Sequence, residues 1–398
     1  MSEQSPSINQ QLDRLELPQP DSDSRIHSEL LCNHIRQEMQ RADGKLPFDR
    51  FMELCLYAPG LGYYMAGTRK FGADGDFVTA PEISSVFSRC LARQCAQVLV
   101  ETASGDLLEF GAGTGALAAG ILAELELLDS LPERYLILEL SPDLRLRQHE
   151  TLQDTVPHLQ HRVQWLETMP APGFQGVILA NEVLDAMPVQ RFQVESGKVH
   201  EQFVGVHENG FTLFWDNPVT PGLAESAADL DLADEYESEL NLRARHWVHE
   251  LGERIEAGAV LLVDYGYPQA EYYHPQRSAG TLMCYYRHRA HSDPLLLPGL
   301  QDITAHVDFT AMAEAGLKAG FELGGYCTQA FFLMSSGLDD ILAASDPDDV
   351  ESHMRLVQEI RRLTLPTGMG EQFKVLGLTK GMDQPLIGFG MRDQRDHL

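Results

Sequence analysis

The run Leu107-Leu-Glu-Phe-Gly-Ala-Gly-Thr-Gly-Ala-Leu117 decides how the rest of the chain is read. An apolar strand ending at Phe110 enters a loop with glycine at 111, 113 and 115, and helix-forming residues follow. Gly111, Gly113 and Gly115 let the backbone turn tightly and approach a ligand closely. The N-terminus of the next helix offers unpaired amides there. Strand, glycine loop and helix in that order form a nucleotide-type crossover. Gly111, Gly113 and Ala116 also satisfy the dinucleotide fingerprint, so the loop alone leaves the ligand open. Two acids tip the choice. Glu109, two positions before the first glycine, suits the cationic amine of an amino-acid-bearing cofactor, a group that a dinucleotide lacks. Glu139 ends the second strand, where a carboxylate can accept from both ribose hydroxyls. It lies 28 positions after Gly111, against about 20 in the dinucleotide fold.

Outward from this loop, short apolar runs alternate with helical stretches. The expected strands are 106–110, 134–140, 163–166, 177–180 and 259–265, which argues for a mostly parallel sheet with helices on both faces. Between the fourth and fifth strands, the runs 192–195, 202–207 and 212–215 meet at Ser-Gly and Asn-Gly turns and read as an antiparallel meander. The acidic segment 224–240 is expected to be a solvated helix. Later strands are expected at 321–327, 373–379 and 386–391, among long helical stretches. The segments are therefore 1–25, a disordered tail; 26–100, N-terminal helices and a lid; 101–190, the first part of the cofactor domain; 191–257, an insertion for substrate recognition; and 258–398, its remainder with helical additions.

The 59 acidic against 30 basic residues give a net charge of −29, which repels phosphate backbones and excludes a nucleic-acid partner. The six cysteines form no Cys-x-x-Cys pair and read as reduced thiols, with no metal site. No apolar run approaches the ~20 residues of a membrane span. The first residues resemble neither a signal nor a transit peptide, so a cytoplasmic location is the expectation.

Further motifs stand in order along the chain: Gly62-Tyr-Tyr64, Gly75-Asp-Phe-Val-Thr-Ala-Pro-Glu-Ile-Ser84, Asn181-Glu-Val-Leu-Asp-Ala-Met-Pro188, Asp264-Tyr-Gly266, Thr304-Ala-His-Val-Asp-Phe309 and Met369-Gly-Glu-Gln-Phe373. Together with the glycine loop they resemble the MidA family of S-adenosylmethionine (SAM)-dependent methyltransferases, over nearly everything after the tail. The resemblance implies a class I, Rossmann-like α/β methyltransferase fold with an N-terminal helical segment, a β-meander insertion and C-terminal helical additions. It implies SAM as cofactor and a protein partner whose arginine is symmetrically dimethylated, in respiratory complex I. It adds Asn181 to the cofactor residues. Glu182 and Asp185 follow the fourth strand at the carboxyl edge of the sheet, where they suit a clamp on a guanidinium. Asp76, Thr79 and Glu82 suit a lid over the cofactor, although Thr79 and Glu82 also match a helix capping box. His306 and Asp308 lie in a polar break before a helix, where His306 can orient substrate or carry a proton. Two rival readings are a catalytically silent assembly factor with the same fold and an NAD-dependent oxidoreductase. The intact acids disfavour the first and Glu109 disfavours the second.

Overall fold

The computed structural model describes residues 8–66, 79–103, 105–208 and 210–398. The chain divides into two units, one of residues 78–185, 244–272 and 306–398, the other of residues 1–77, 186–243 and 273–305.

The first of these holds the sheet that the glycine loop predicts. Its strands are β1 (Asp106–Phe110), β2 (Tyr135–Leu138), β3 (Val163–Leu166), β4 (Phe174–Asn181), β5 (Ile255–Tyr267), β6 (Val307–Asp308), β7 (Glu322–Thr328) and β8 (Phe373–Lys380). The spatial order is β7-β8-β5-β4-β1-β2-β3, with β6 pairing beside β5. Pairs among β1 to β5 are parallel, whereas β8 runs antiparallel between β5 and β7. All five residues of β1 are buried, as a strand covered on both faces requires. Helices α1 (Ala80–Ile83), α2 (Ser85–Glu101), α3 (Ala116–Leu127) and α4 (Pro142–Thr155) precede the fourth strand, and α5 (Phe309–Lys318) follows β6. Leu107, Tyr135, Ile137, Val177, Leu179, Leu261 and Val263 pack in one core with Cys95 and Val98 of α2 and with Ile121 and Leu122 of α3. The strand order reverses between β1 and β4. Open α/β sheets bind ligands at such a switch point, beyond the carboxyl ends of the strands.

The second unit carries the expected meander, Gln190–Glu195, Lys198–His207 and Gly210–Asp216. Ser196 and Gly197 take φ of 52° and 70° at its first turn, the mirror-image turn that a two-residue hairpin favours. The same sheet recruits Lys45–Pro47 and Tyr236–Leu240 as further strands. Val204 packs in one core with Leu31, Phe51 and Met52 of the N-terminal helices. The meander is therefore not a detachable insertion.

Four expectations need correction. The acidic segment 224–240 is a short helix, Leu223–Ala228, followed by a strand, Tyr236–Leu240. Its acids do not all face water: Glu239 is buried and accepts from Thr281 N at 2.8 Å and Thr281 Oγ1 at 3.1 Å. Residues 386–391 form no strand. A 3-10 turn at Ile387–Phe389 sets Phe389 on Phe332 at 5.6 Å, and Gln94 accepts from Gly388 N at 2.9 Å. The segment 1–25 is not wholly a tail, since Ile8–Arg14 is helical and Leu12 and Leu17 bury against Tyr286, Leu296 and Leu297. The stretch after the fifth strand also contains a small sheet, Met283–Tyr286, Arg289–His291 and Asp302–Thr304. Its strands of three or four residues are too short to leave a periodic signal.

Candidate active site

The loop after β1 needs its glycines. Gly111, Gly113 and Gly115 have φ of 61°, 53° and 86°, in the left-handed region that favours glycine. A Cβ on Gly115 would lie 2.9 Å from the Gln148 Cα, while one on Gly113 would meet nothing within 4 Å. The first closeness seats the loop against α4, and the second leaves its outer face open to a ligand.

Glu109 is 2% exposed and accepts a hydrogen bond from the Tyr135 hydroxyl at 2.7 Å. Burial pushes its pKa up to about 7, against the pull of the Tyr135 bond, and nearby Glu139 adds to the rise. An acid held this way gains stabilisation from an arriving cation. Glu139 is also buried. Its Oε1 accepts from Ser141 N at 2.9 Å and its Oε2 from Gln148 Nε2 at 3.1 Å. Burial raises its pKa, and these two bonds oppose the rise. Both carboxylate oxygens are thus fixed while each keeps a second lone pair for a hydroxyl.

The acids after β4 form a second group. Glu182 is a non-glycine residue at φ 54°, the kind of backbone strain that tends to collect at functional sites. Its amide donates to the Val263 carbonyl at 2.9 Å, and its Oε1 accepts from Asn181 Nδ2 at 3.2 Å. Burial pushes the Glu182 pKa up to about 8, and Asp185 and Glu82 contribute further repulsion. Asp185 accepts from the Tyr265 hydroxyl at 2.6 Å. Asn181 Oδ1 is buried with no hydrogen-bond partner among the described residues, so it retains an open acceptor on the same edge.

Three residues of the site had no role assigned from sequence, two beside these acids and one beside Glu139. Asp264, 0% exposed, accepts from the amides of Leu184 at 3.0 Å, Asp185 at 3.2 Å and Tyr265 at 2.9 Å. It therefore pins the Glu182–Asp185 segment. Burial raises its pKa well above the usual carboxylate range, with Asp185 and Glu182 adding to the effect. Tyr265 orients the Asp185 side chain, and Gln148 touches both Glu139 and the glycine loop. The Asp264-Tyr-Gly266 motif was the available signal for the first two; nothing local marks Gln148.

Of the expected lid residues, Asp76 lies outside the described residues. Thr79 stands at the N-cap of α1, but its side chain makes no capping bond. The capping box is therefore not closed. Glu82 Oε1 instead accepts from the Thr114 hydroxyl of the glycine loop at 3.3 Å. His306 stacks on Tyr267 at 5.3 Å and meets Tyr265 edge-on at 5.1 Å, which links it through Tyr265 to Asp185. Asp308 serves the backbone, since its Oδ1 accepts from Ala311 N at 3.1 Å and caps α5. Burial pushes its pKa up to about 6. Among the described residues no cluster of His, Cys, Asp and Glu has the makings of a metal site, and no helix is long and apolar enough to cross a membrane.

A family model described as "Putative S-adenosyl-L-methionine-dependent methyltransferase" matches residues 90–327, a span that includes the glycine loop and the acids after β4. A crystal structure of a Burkholderia thailandensis protein bound to S-adenosyl-homocysteine (SAH) superposes with a TM-score of 0.92 at 43% identity, covering 96% of this chain and 100% of that one. Among curated proteins, the Drosophila melanogaster "Protein arginine methyltransferase NDUFAF7 homolog, mitochondrial" is 30% identical over 93% of this chain and 91% of its own length. The Danio rerio "Protein arginine methyltransferase NDUFAF7, mitochondrial" is 30% identical over 89% and 87%. These names correct the cytoplasmic expectation, which had rested on the N-terminal residues alone: both relatives are mitochondrial proteins. The open glycine cradle, the buried acid beside it and the fixed carboxylate at Glu139 fit SAM as cofactor. With its sheet order, this site and these relatives together, the chain belongs to the MidA family of SAM-dependent methyltransferases.

Proposed function

We propose that the acceptor is an arginine side chain of another protein, gripped by Glu182 and Asp185. The observation that carries this reading is the group of acids after β4 and on β5, with Asp264 holding the Glu182–Asp185 segment by its amides and Tyr265 holding the Asp185 carboxylate. A guanidinium is cationic and a poor nucleophile until its charge is localised. Two carboxylates on two of its nitrogens draw the positive charge toward them and leave the third free. The cofactor supplies an electrophilic methyl group. As the nitrogen–carbon bond forms and the sulfur–carbon bond breaks, the electron pair stays on sulfur and the guanidinium nitrogen loses one proton. Glu182, raised to about 8 by its burial, must be ionised to grip the guanidinium, so transfer strengthens as pH rises toward 8 and the released proton passes to the surroundings. Glu109 and Glu139 hold the amine and the ribose of the cofactor, with Asn181, Thr79 and Glu82 beside them, and His306 orients the acceptor from the Tyr265 side.

The names of the relatives support an arginine acceptor. Symmetric dimethylation and a respiratory complex I subunit as partner are the finer forms of this proposal, and the strands 190–216 are the proposed acceptor-recognition surface. The test is to incubate the purified protein with methyl-labelled SAM and an extract from cells lacking its gene, then map the modified residue by mass spectrometry. Methylarginine on a discrete protein supports the reading; a labelled lysine, or no label with SAH still bound, refutes it.

A further inference from the structure

We propose that Gln148 is a positioning residue that joins the two halves of the cofactor site, fixing the glycine loop and Glu139 through one buried amide. Gln148 lies on α4 and is 0% exposed. Its Nε2 donates to the Gly113 carbonyl at 3.0 Å and to Glu139 Oε2 at 3.1 Å. Its Oε1 accepts from the indole Nε1 of Trp165 at 2.9 Å. An indole N–H can only donate, so the orientation of the amide is chemically determined: the oxygen must face Trp165 and both N–H groups are left for the loop and the carboxylate. Trp165 is itself held by His149, stacked at 4.6 Å with the planes 9° apart.

One turn further along α4, the Thr151 hydroxyl donates to the Thr114 carbonyl at 2.7 Å. The inner face of α4 thus engages two successive carbonyls of the glycine loop from behind. The close approach of Gly115 to the Gln148 Cα brings loop and helix near enough for this, at the 2.9 Å that a Cβ would violate. The Gly111 and Gly115 amides donate to the Leu138 and Ala112 carbonyls, so with the Gly113 and Thr114 carbonyls engaged on the α4 side the amides of residues 112–114 are the ones a ligand cradle would use. The same amide group of Gln148 orients the carboxylate assigned to the ribose. Removing it releases both segments at once, and because a fixed site loses less freedom on binding than a loose one, affinity should fall.

The experiment is a double-mutant cycle read by calorimetry with SAH, so that turnover plays no part. Gln148→Leu, close in size but unable to donate, is measured in the wild-type background and in Glu139→Ala, each with a thermal melt. The expected result is a loss of SAH affinity of about tenfold or more for Gln148→Leu alone and under about threefold in the Glu139→Ala background, since coupled neighbours are non-additive. Trp165→Phe, which removes the donor that orients the amide, should weaken SAH in the same direction and serves if Gln148→Leu does not fold. A purely structural role would lower both melts without coupling to Glu139. Unchanged affinity in both the Gln148 and Trp165 variants, or the same factor in both backgrounds, overturns the proposal. If Glu139→Ala alone leaves SAH affinity unchanged, the ribose assignment falls and the joint role of Gln148 falls with it.

Discussion

Replacing Glu182 with Gln should weaken catalysis and stabilise the fold, with opposite signs in two assays. Burial raises the Glu182 pKa from 4.5 to about 8. At about 1.4 kcal/mol per unit, this sets an upper bound of about 5 kcal/mol on the cost of holding the buried anion. The residue keeps some exposure, so solvent screening makes the realised cost smaller than that bound. The sign follows from linkage. Between pH 4.5 and 8 the native state holds a proton that the unfolded chain has released, so stability falls as pH rises through that window and levels off above it. Glu182→Gln removes the Glu182 share of that slope, leaving those of Glu109, Asp264 and Asp308, and its melting temperature should exceed that of the wild type increasingly from pH 5 to pH 8. Methyl transfer should move the other way. Losing a charge-assisted contact of about 2.7–4 kcal/mol in a dry site corresponds to a hundred- to thousandfold in rate. In the wild type, turnover at low acceptor concentration should rise with pH toward 8 as Glu182 ionises, and the variant should lack that limb. The assays are melts across pH and labelled-methyl transfer to the native acceptor. Parallel melting curves across this range together with wild-type turnover would refute both the burial argument and the clamp.

Tyr265→Phe deletes the 2.6 Å bond to Asp185. At about 1.5–3 kcal/mol for a bond to a charged group, turnover should drop roughly ten- to hundredfold with SAH affinity intact; equal turnover would show that Asp185 needs no anchor. Gly115→Ala forces a side chain into backbone at φ 86° and 2.9 Å from Gln148. A loss of about 1–3 kcal/mol of stability, with no SAH binding by calorimetry, is expected, and a variant that binds normally would mean the loop is not seated on α4. Asp308→Ala removes the cap of α5 and should cost about 1 kcal/mol in a denaturant melt. A large loss of turnover with an unchanged melt would restore Asp308 to catalysis.

The sequence by itself determined the sheet core and, through the family resemblance of its ordered motifs, the cofactor. Leu107, Leu108 and Phe110 are apolar, the glycines at 111, 113 and 115 have a conformational reason to be there, and Glu109 and Glu139 stand near strand ends whose positions follow from strand periodicity. Such features depend on neighbours a few residues away, so local spacing reveals them. The meander was legible for the same reason, its Ser-Gly turn lying between alternating strands. Tertiary structure decided the rest. Tyr236–Leu240 is a strand because Gln190–Glu195 pairs with it and Glu239 finds Thr281, whereas its composition alone favours a solvated helix. Residues 386–391 lose their strand because Phe389 packs on Phe332 and Gln94 takes the Gly388 amide. Asp264 and Tyr265 meet Asp185 from about 80 positions away in the chain, and Gln148 joins Gly113 to Glu139 across three separate segments. Contacts of that kind form only when the sheet order brings distant strand ends together, and no period of 2 or 3.6 residues encodes them.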